Sequence, residues 1–239
     1  MNVELLEWDS NFFGIKVGKL VLNQIESWDD QNLATWDLIY VFVSPENKAV
    51  NSFLKAKNLK IVDEKISFRM DLNQADSQLA KNKNILSYQP GLKDKDLIKI
   101  GLQSGIYSRF KVDPKFHNQH FEKLYNTWMQ KSINREIANE VFVYQDLQNE
   151  MKGVITLKEN NKCIEIGILA IDEKFRGQRI GKQFIEEAKR YCLLKGIHCL
   201  KVVTQKQNRE ACSFYTNCGF QESNIVNIYH YWKRKDDTL

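Results

Sequence analysis

Apolar and polar residues follow two rhythms along this chain, one of period two and one of period three to four, and the switches between them mark its elements. Leu5, Leu6 and Trp8 precede Asp9-Ser-Asn-Phe-Phe-Gly14, and Ile15, Val17 and Leu20 follow it. Two aromatics before a glycine, then alternation, predict a turn into a half-buried strand. Residues 38–43 read as a short strand and Ser44-Pro45-Glu-Asn47 as a break. Val50, Phe53, Leu54 and Ala56 then form a helical face ending near Lys57, and a strand is expected from Leu59 towards Met70. Between 75 and 84 the chain turns polar and loses its period, which predicts a linker separating a domain of residues 1–80 from one of residues 85–239.

The larger domain reads as a strand at 85–88, a helix at 94–103 with Leu97, Ile98 and Leu102 inward, and a loop at 105–110. A helix at 117–133 carrying Phe121, Leu124, Tyr125 and Trp128 comes next, then strands at 140–144, 153–158 and 163–171. A helix at 181–195 follows, with Phe184, Ile185, Ala188, Tyr191 and Cys192 inward and Gly196 as a left-handed stop. After a strand at 199–204, Asn208 N-caps a helix at 209–217 that Gly219 ends, and alternation over 225–232 closes the chain. An offset of 161 residues lays Asn47 on Asn208, Ser52 on Ser213, Phe53 on Phe214 and Leu59 on Phe220. The first domain thus reads as a degenerate copy of the second half of the other, with Leu54 where Tyr215 stands; a shared strand-helix-strand pattern forces some of these matches by itself.

The stretch 166–182, Ile-Gly-Ile-Leu-Ala-Ile-Asp-Glu-Lys-Phe-Arg-Gly-Gln-Arg-Ile-Gly-Lys, is a strand, a tight loop and a helix start. Such a loop offers consecutive backbone N–H groups at the positive end of a helix dipole, which suits a pyrophosphate. It is neither a Walker loop nor a three-glycine dinucleotide fingerprint. The alternative is a charged surface turn before an ordinary helix.

Composition changes this picture little. The 239 residues suffice for one large domain or two smaller ones, and 43% hydrophobic with 27% charged residues is ordinary for a globular protein. The net charge of +5 is spread along the chain, so no nucleic-acid partner is expected. No apolar run approaches the roughly 20 residues that span a bilayer, and the start lacks a basic, apolar leader, so a cytoplasmic location without membrane attachment is expected. Five cysteines without a Cys-x-x-Cys pair read as free, mostly buried thiols. His117 and His120 are half a metal site that nothing completes, so no metal is expected.

Arg176-Gly-Gln-Arg-Ile-Gly181, with the Leu169-Ala-Ile171 strand end before it, resembles the coenzyme A loop of the GCN5-related N-acetyltransferases (GNAT), although Arg179 stands where that family usually has its first glycine. The order of elements from residue 85 onward is also that family's. The resemblance implies an α/β fold with a mixed sheet, here a GNAT fold with a smaller N-terminal domain resembling part of one. It implies acetyl-CoA as co-substrate, held by Leu169, Ala170, Ile171, Arg176, Gly177, Gln178, Arg179, Ile180, Gly181, Lys182 and Asn208. Tyr215, seven residues after Asn208, stands where the family's general acid does; its ordinary pKa of about 10 lies above the thiol's of about 8.5, so it can protonate a departing thiolate. A core-facing aromatic is the competing reading. Glu165 is either a base, directly or through water, or a solvent-facing strand carboxylate.

Trp8-Asp-Ser-Asn-Phe-Phe-Gly14, Ser108-Arg-Phe110, Ile166-Gly-Ile-Leu-Ala170, Val203-Thr-Gln205 and Tyr229 to Trp232 look most like the dTDP-fucosamine acetyltransferase (WecD-like) group. That likeness implies acetylation of a dTDP-linked amino-deoxy sugar for surface polysaccharide, with Phe13, Arg109 and Tyr231 lining the sugar-nucleotide pocket and a homodimer allowed. Acetylation of a protein, polyamine or other small amine, and a non-catalytic acyl-CoA-binding regulator, are the alternatives.

Overall fold

The computed structural model describes residues 2–73, 80–91, 93–160 and 162–233. In chain order the elements are β1 (Glu4–Leu5), α1 (Glu7–Phe13), β2 (Val17–Val21), α2 (Asp30–Leu33), β3 (Leu38–Val43), α3 (Lys48–Ala56), β4 (Ile61–Asp71), β5 (Ile85–Ser87), α4 (Asp94–Leu102), α5 (Arg109–Val112) and α6 (Asn118–Ile133). They continue with β6 (Glu140–Gln145), β7 (Met151–Glu159), β8 (Ile164–Ile171), α7 (Ile180–Leu194), β9 (Cys199–Gln205), α8 (Arg209–Asn217) and β10 (Gln221–Trp232). The mixed α/β class is as expected. The aromatic segment before Gly14 is a correction: it forms helix α1, which Gly14 ends in the left-handed conformation at φ 69°.

Two compact units are present. The first comprises Met1–Ile66, Gln205–Gln207 and Asn224–Leu239, and the second Ser67–Thr204 and Asn208–Ser223. These divisions fall elsewhere than the expected boundary at 80–85, and residues 75–79, half of the expected linker, lie outside the described residues.

In the first unit β2 runs parallel to β3, β1 pairs antiparallel with β2, and β10 pairs antiparallel with β3 from Asn227↔Val43 to Trp232↔Leu38. Alternation sends Ile39, Val41, Val43, Tyr229 and Tyr231 to one face, where Leu54 of α3 packs on them.

In the second unit β5, β6, β7 and β8 pair antiparallel in that order, and β9 joins β8 in parallel. One face carries Val141, Val143, Val154, Ile168 and Ala170 against Leu97 and Ile100 of α4 and Met129 and Ile133 of α6. The alternate residues Phe142 and Tyr144 meet Tyr191 and Phe184 of α7 on the other face.

The 161-residue offset also relates some element bounds. It carries Lys48–Ala56 onto Arg209–Asn217 residue for residue and Leu38 at the start of β3 onto Cys199 at the start of β9. Asn47 (φ −76°, ψ 75°) accepts the N–H of Val50 at 3.1 Å, and Asn208 (φ −80°, ψ 72°) accepts that of Ala211 at 3.1 Å. The closing strand of each copy is divided between the units. Ser67–Asp71 of β4 belongs to the second, where Phe68 rests on Tyr215. Most of β10 belongs to the first, where it pairs with β3.

The cysteine expectation is corrected for two of the five: Cys163 and Cys199, at the starts of β8 and β9, form a disulfide, while Cys192, Cys212 and Cys218 are in no disulfide. The chain should therefore show three reactive thiols in denaturant without reductant and five after reduction, by colorimetric thiol titration. Reduction should lower its stability by up to about 4 kcal/mol, the chain entropy returned when a loop of this length is opened.

Candidate active site

Strands β8 and β9 stay together for three residue pairs, Ile164↔Leu200, Glu165↔Lys201 and Ile166↔Val202, and then part. Their parting coincides with a bulge: β8 slips by one residue against β7 between Ile166 and Leu169, and bulges bend a strand and raise its twist. Past that point the β9-facing edge of Leu169, Ala170 and Ile171 has no β9 partner, so its backbone is open to an extended ligand carrying amides. Because the strands are parallel, the loop after β8 and helix α8 after β9 emerge at the same end.

At that end Asp172 accepts the N–H of Lys174 at 3.1 Å, starting a single turn over Glu173–Phe175. Gln103 fastens the turn from 70 residues away: its side-chain oxygen accepts the N–H of Glu173 at 3.0 Å and Nη2 of Arg176 at 3.2 Å. Arg176 also donates through Nε to the carbonyl of Ile171 at 3.3 Å. Gly177 then takes φ +79° and Arg179 φ 60°, both left-handed, and α7 begins. The arginine thus adopts the conformation that the resemblance reserves for glycine.

No side chain among the described residues caps α7. The backbone N–H groups of Gly177, Gln178, Arg179, Ile180, Gly181 and Lys182 donate to no acceptor among the described residues. Six such donors at the positive end of a helix, in a segment that also carries Lys174, Arg176, Arg179 and Lys182, make a candidate anion cradle suited to a pyrophosphate. Gly181 is required by packing. A Cβ there would meet the Phe214 ring at 3.1 Å, so this glycine lets α8 lie against the cradle.

Tyr215, next to Phe214, is enclosed by Phe68, Phe214 and Phe220 at centroid distances of 5.2–5.8 Å. It is 6% exposed, and burial pushes its pKa above the ordinary tyrosine value. Its hydroxyl hydrogen-bonds to no described residue and is not among the polar atoms sealed from solvent. Asn208 caps α8 with its oxygen and keeps its amide nitrogen without a partner among the described residues.

The remaining expected site residues are placed differently. Glu165 is exposed, accepts from Nδ2 of Asn160 at 2.7 Å, and lies in register between Lys158 and Lys201, an arrangement typical of a surface charge ladder. Arg109, in the second unit, has its guanidinium 4.5 Å from the Phe110 ring. Phe13 and Tyr231 belong to the first unit, Phe13 edge-on to Phe12 at 4.9 Å. Tyr231 is 5% exposed in that unit's core against Trp28 and therefore packs as a core aromatic. Within the first unit the 161-residue offset puts strand β2 where the second has its cradle, and buried Leu54 where it has Tyr215.

Comparison with known proteins bears on the family and the fold. Residues 105–220 match the model of the Acetyltransferase (GNAT) family. The match spans just under half of the chain, and this part of it is similar to that family. The family's enzymes use acetyl-CoA. Streptothricin acetyltransferase of Escherichia coli is 28% identical over 101 residues, a match covering 36% of this chain and 58% of that protein's length. A functionally unknown conserved protein from Staphylococcus epidermidis ATCC 12228 has the same fold at 11% identity and a TM-score of 0.67, covering 91% of this chain and 84% of that one. A GCN5-related N-acetyltransferase from Sphaerobacter thermophilus gives a TM-score of 0.56 at 12% identity, covering 82% and 60%.

The left-handed arginine generates a stability test. That conformation costs a non-glycine residue roughly 1–2 kcal/mol, and glycine gives back about 0.4–1 kcal/mol through its freer unfolded chain. Arg179→Gly should raise stability by up to about 1 kcal/mol, a melting shift of roughly 2–4 °C. Arg179→Val, β-branched, should lower the melting temperature measured by circular dichroism.

Proposed function

We propose that this GNAT-like domain transfers an acetyl group from acetyl-CoA to a primary amine by direct attack, with Tyr215 as the general acid. The observation that carries the reading is the Tyr215 hydroxyl, borne on a ring enclosed by aromatics yet itself without a partner among the described residues, on the helix that packs against the six-amide cradle. Acetyl-CoA, when bound, supplies an activated acetyl thioester. The N–H groups of residues 177–182 hold its diphosphate, and the unpaired edge of Leu169–Ala170–Ile171 aligns the extended arm behind it. The Asn208 amide nitrogen is free to donate to the same arm. Burial keeps the Tyr215 phenol protonated across the range in which a thiol ionises, so Oη holds the proton that the leaving sulfur requires.

For the acceptor we propose a nucleotide-linked amino-deoxy sugar of the dTDP type, used in surface polysaccharide assembly. The reading is supported by the motifs around Trp8–Gly14, Ser108–Phe110 and Val203–Gln205, which resemble those of that group. The similarity to streptothricin acetyltransferase favours a second reading, a small free amine as acceptor.

Thiol release from acetyl-CoA should be measured against dTDP-amino sugars, other nucleotide amino sugars, polyamines, peptides and streptothricin. Turnover confined to nucleotide amino sugars is expected; turnover on the free amines alone would select the second reading. Tyr215→Phe should lower kcat by about 10²–10⁴-fold, the usual range for a general acid, while retaining CoA binding by calorimetry. The raised tyrosine pKa also places any alkaline fall in the pH–rate profile above about pH 10. A limb near neutrality that persists in Tyr215→Phe would assign the acid elsewhere.

A further inference from the structure

The bulge in β8 is built around one side chain on the neighbouring strand. Thr156 of β7 lies opposite the extra residue, between the pairs Ile155↔Leu169 and Leu157↔Ile166. Its hydroxyl oxygen accepts the backbone N–H of Ile168 at 2.8 Å, so a side chain replaces the strand carbonyl that a regular ladder would supply. The residue is only 2% exposed, so no water can readily take over that bond. Gly167 leaves the space for it: a Cβ at that position would stand 2.8 Å from the Thr156 oxygen. The last β8–β9 pair, Ile166↔Val202, is the residue pair immediately before this clamp.

From these placements we infer that Thr156 is a positioning residue: its hydroxyl, with the space left by Gly167, locks the β8 bulge and so fixes where β8 leaves β9 and how the freed edge of Leu169–Ile171 faces the reacting thioester. The inference rests on the acetyl-transfer reading and assigns it a residue that touches neither the cradle nor Tyr215. Thr156 acts on the far end of the cofactor site, away from the diphosphate. Its loss should therefore disturb alignment at the reacting carbon and leave the anchoring of the diphosphate in place.

The test uses the full chain with Thr156→Val, which keeps the shape and removes the hydroxyl, Thr156→Ser, which restores it, and Gly167→Ala, which crowds it. Three quantities are read: hydrogen exchange of the Ile168 amide without ligand, the Kd for CoA, and kcat. Thr156→Val should speed Ile168 exchange at least tenfold and lower kcat by about a hundredfold, as expected for a misplacement near 1 Å. Its CoA Kd should stay within about threefold. Thr156→Ser should recover all three, and Gly167→Ala, should the valine variant fold poorly, should repeat the valine pattern.

Unchanged Ile168 exchange in Thr156→Val would overturn the clamp. Equal losses in CoA affinity and kcat that serine does not rescue would reduce Thr156 to a packing residue. If wild-type protein turns over no amine, the transfer reading falls by itself; the proposal then stands or falls on Ile168 exchange together with a selective loss of acetyl-CoA affinity relative to CoA.

Discussion

The candidate site depends on two parallel strands that stop pairing part-way along their length. A sheet interior normally leaves no backbone donor or acceptor unmatched, because an unpaired buried amide costs about as much as a lost hydrogen bond. β8 and β9 break that rule after Ile166↔Val202, at the bulge that Thr156 spans. The closed end is held by three residue pairs and by the Cys163–Cys199 disulfide. At the open end, parallel direction alone brings two segments together, the amide-rich turn after β8 and the Asn208-capped helix after β9. Contact between Gly181 and Phe214 then joins the two.

The internal repeat shows how little of this comes from the fold alone. Both copies have a strand, an asparagine cap of nearly equal geometry and a nine-residue helix. In the first copy Asn51, one turn into the helix, is fully engaged. It donates to the carbonyls of Ser44 and Asn47, and it accepts from Asn227 and the Tyr229 hydroxyl. Leu54 fills the core where the second copy holds a phenol without a partner among the described residues. The first copy engages Asn51 internally, whereas the second leaves six amides, one carboxamide nitrogen and one hydroxyl without a partner among the described residues. Equivalent secondary structure thus supports packing in one unit and a site in the other.

Elements with a sustained period or a local cap were legible in the sequence. Helix α8 has the expected bounds because Asn208 and Gly219 mark it from both sides, and β3 because its apolar run is unbroken. Helix α1 was not, because seven residues are too few to display a helical period and Gly14 suits a turn as well as a C-cap. Tyr231 carries no signal of its burial: the same aromatic ending fits a pocket wall or a core strand, and pairing with β3 decides it. Gln103 and Thr156 were invisible for a simpler reason. Their partners lie 70 and 12 residues away, and nothing in either residue's neighbourhood announces them. The disulfide joins cysteines 36 residues apart, so spacing could not suggest it.

The glycines of the loop show that a motif letter can stand for separate physical demands. A positive φ is one demand, and close approach of another group is a second. Gly177 and Arg179 both meet the first, the arginine at a cost in local strain, and Gly181 meets the second because of a phenylalanine on the next helix. Counting letters against the family pattern penalises Arg179, but its backbone does what a glycine would do. The substitution also puts a cationic residue into a segment with six amides that have no acceptor among the described residues, at a helix N-terminus, where a diphosphate is the complementary charge. Strain retained at such a point is coherent when the strained residue contributes to the field that binds the ligand.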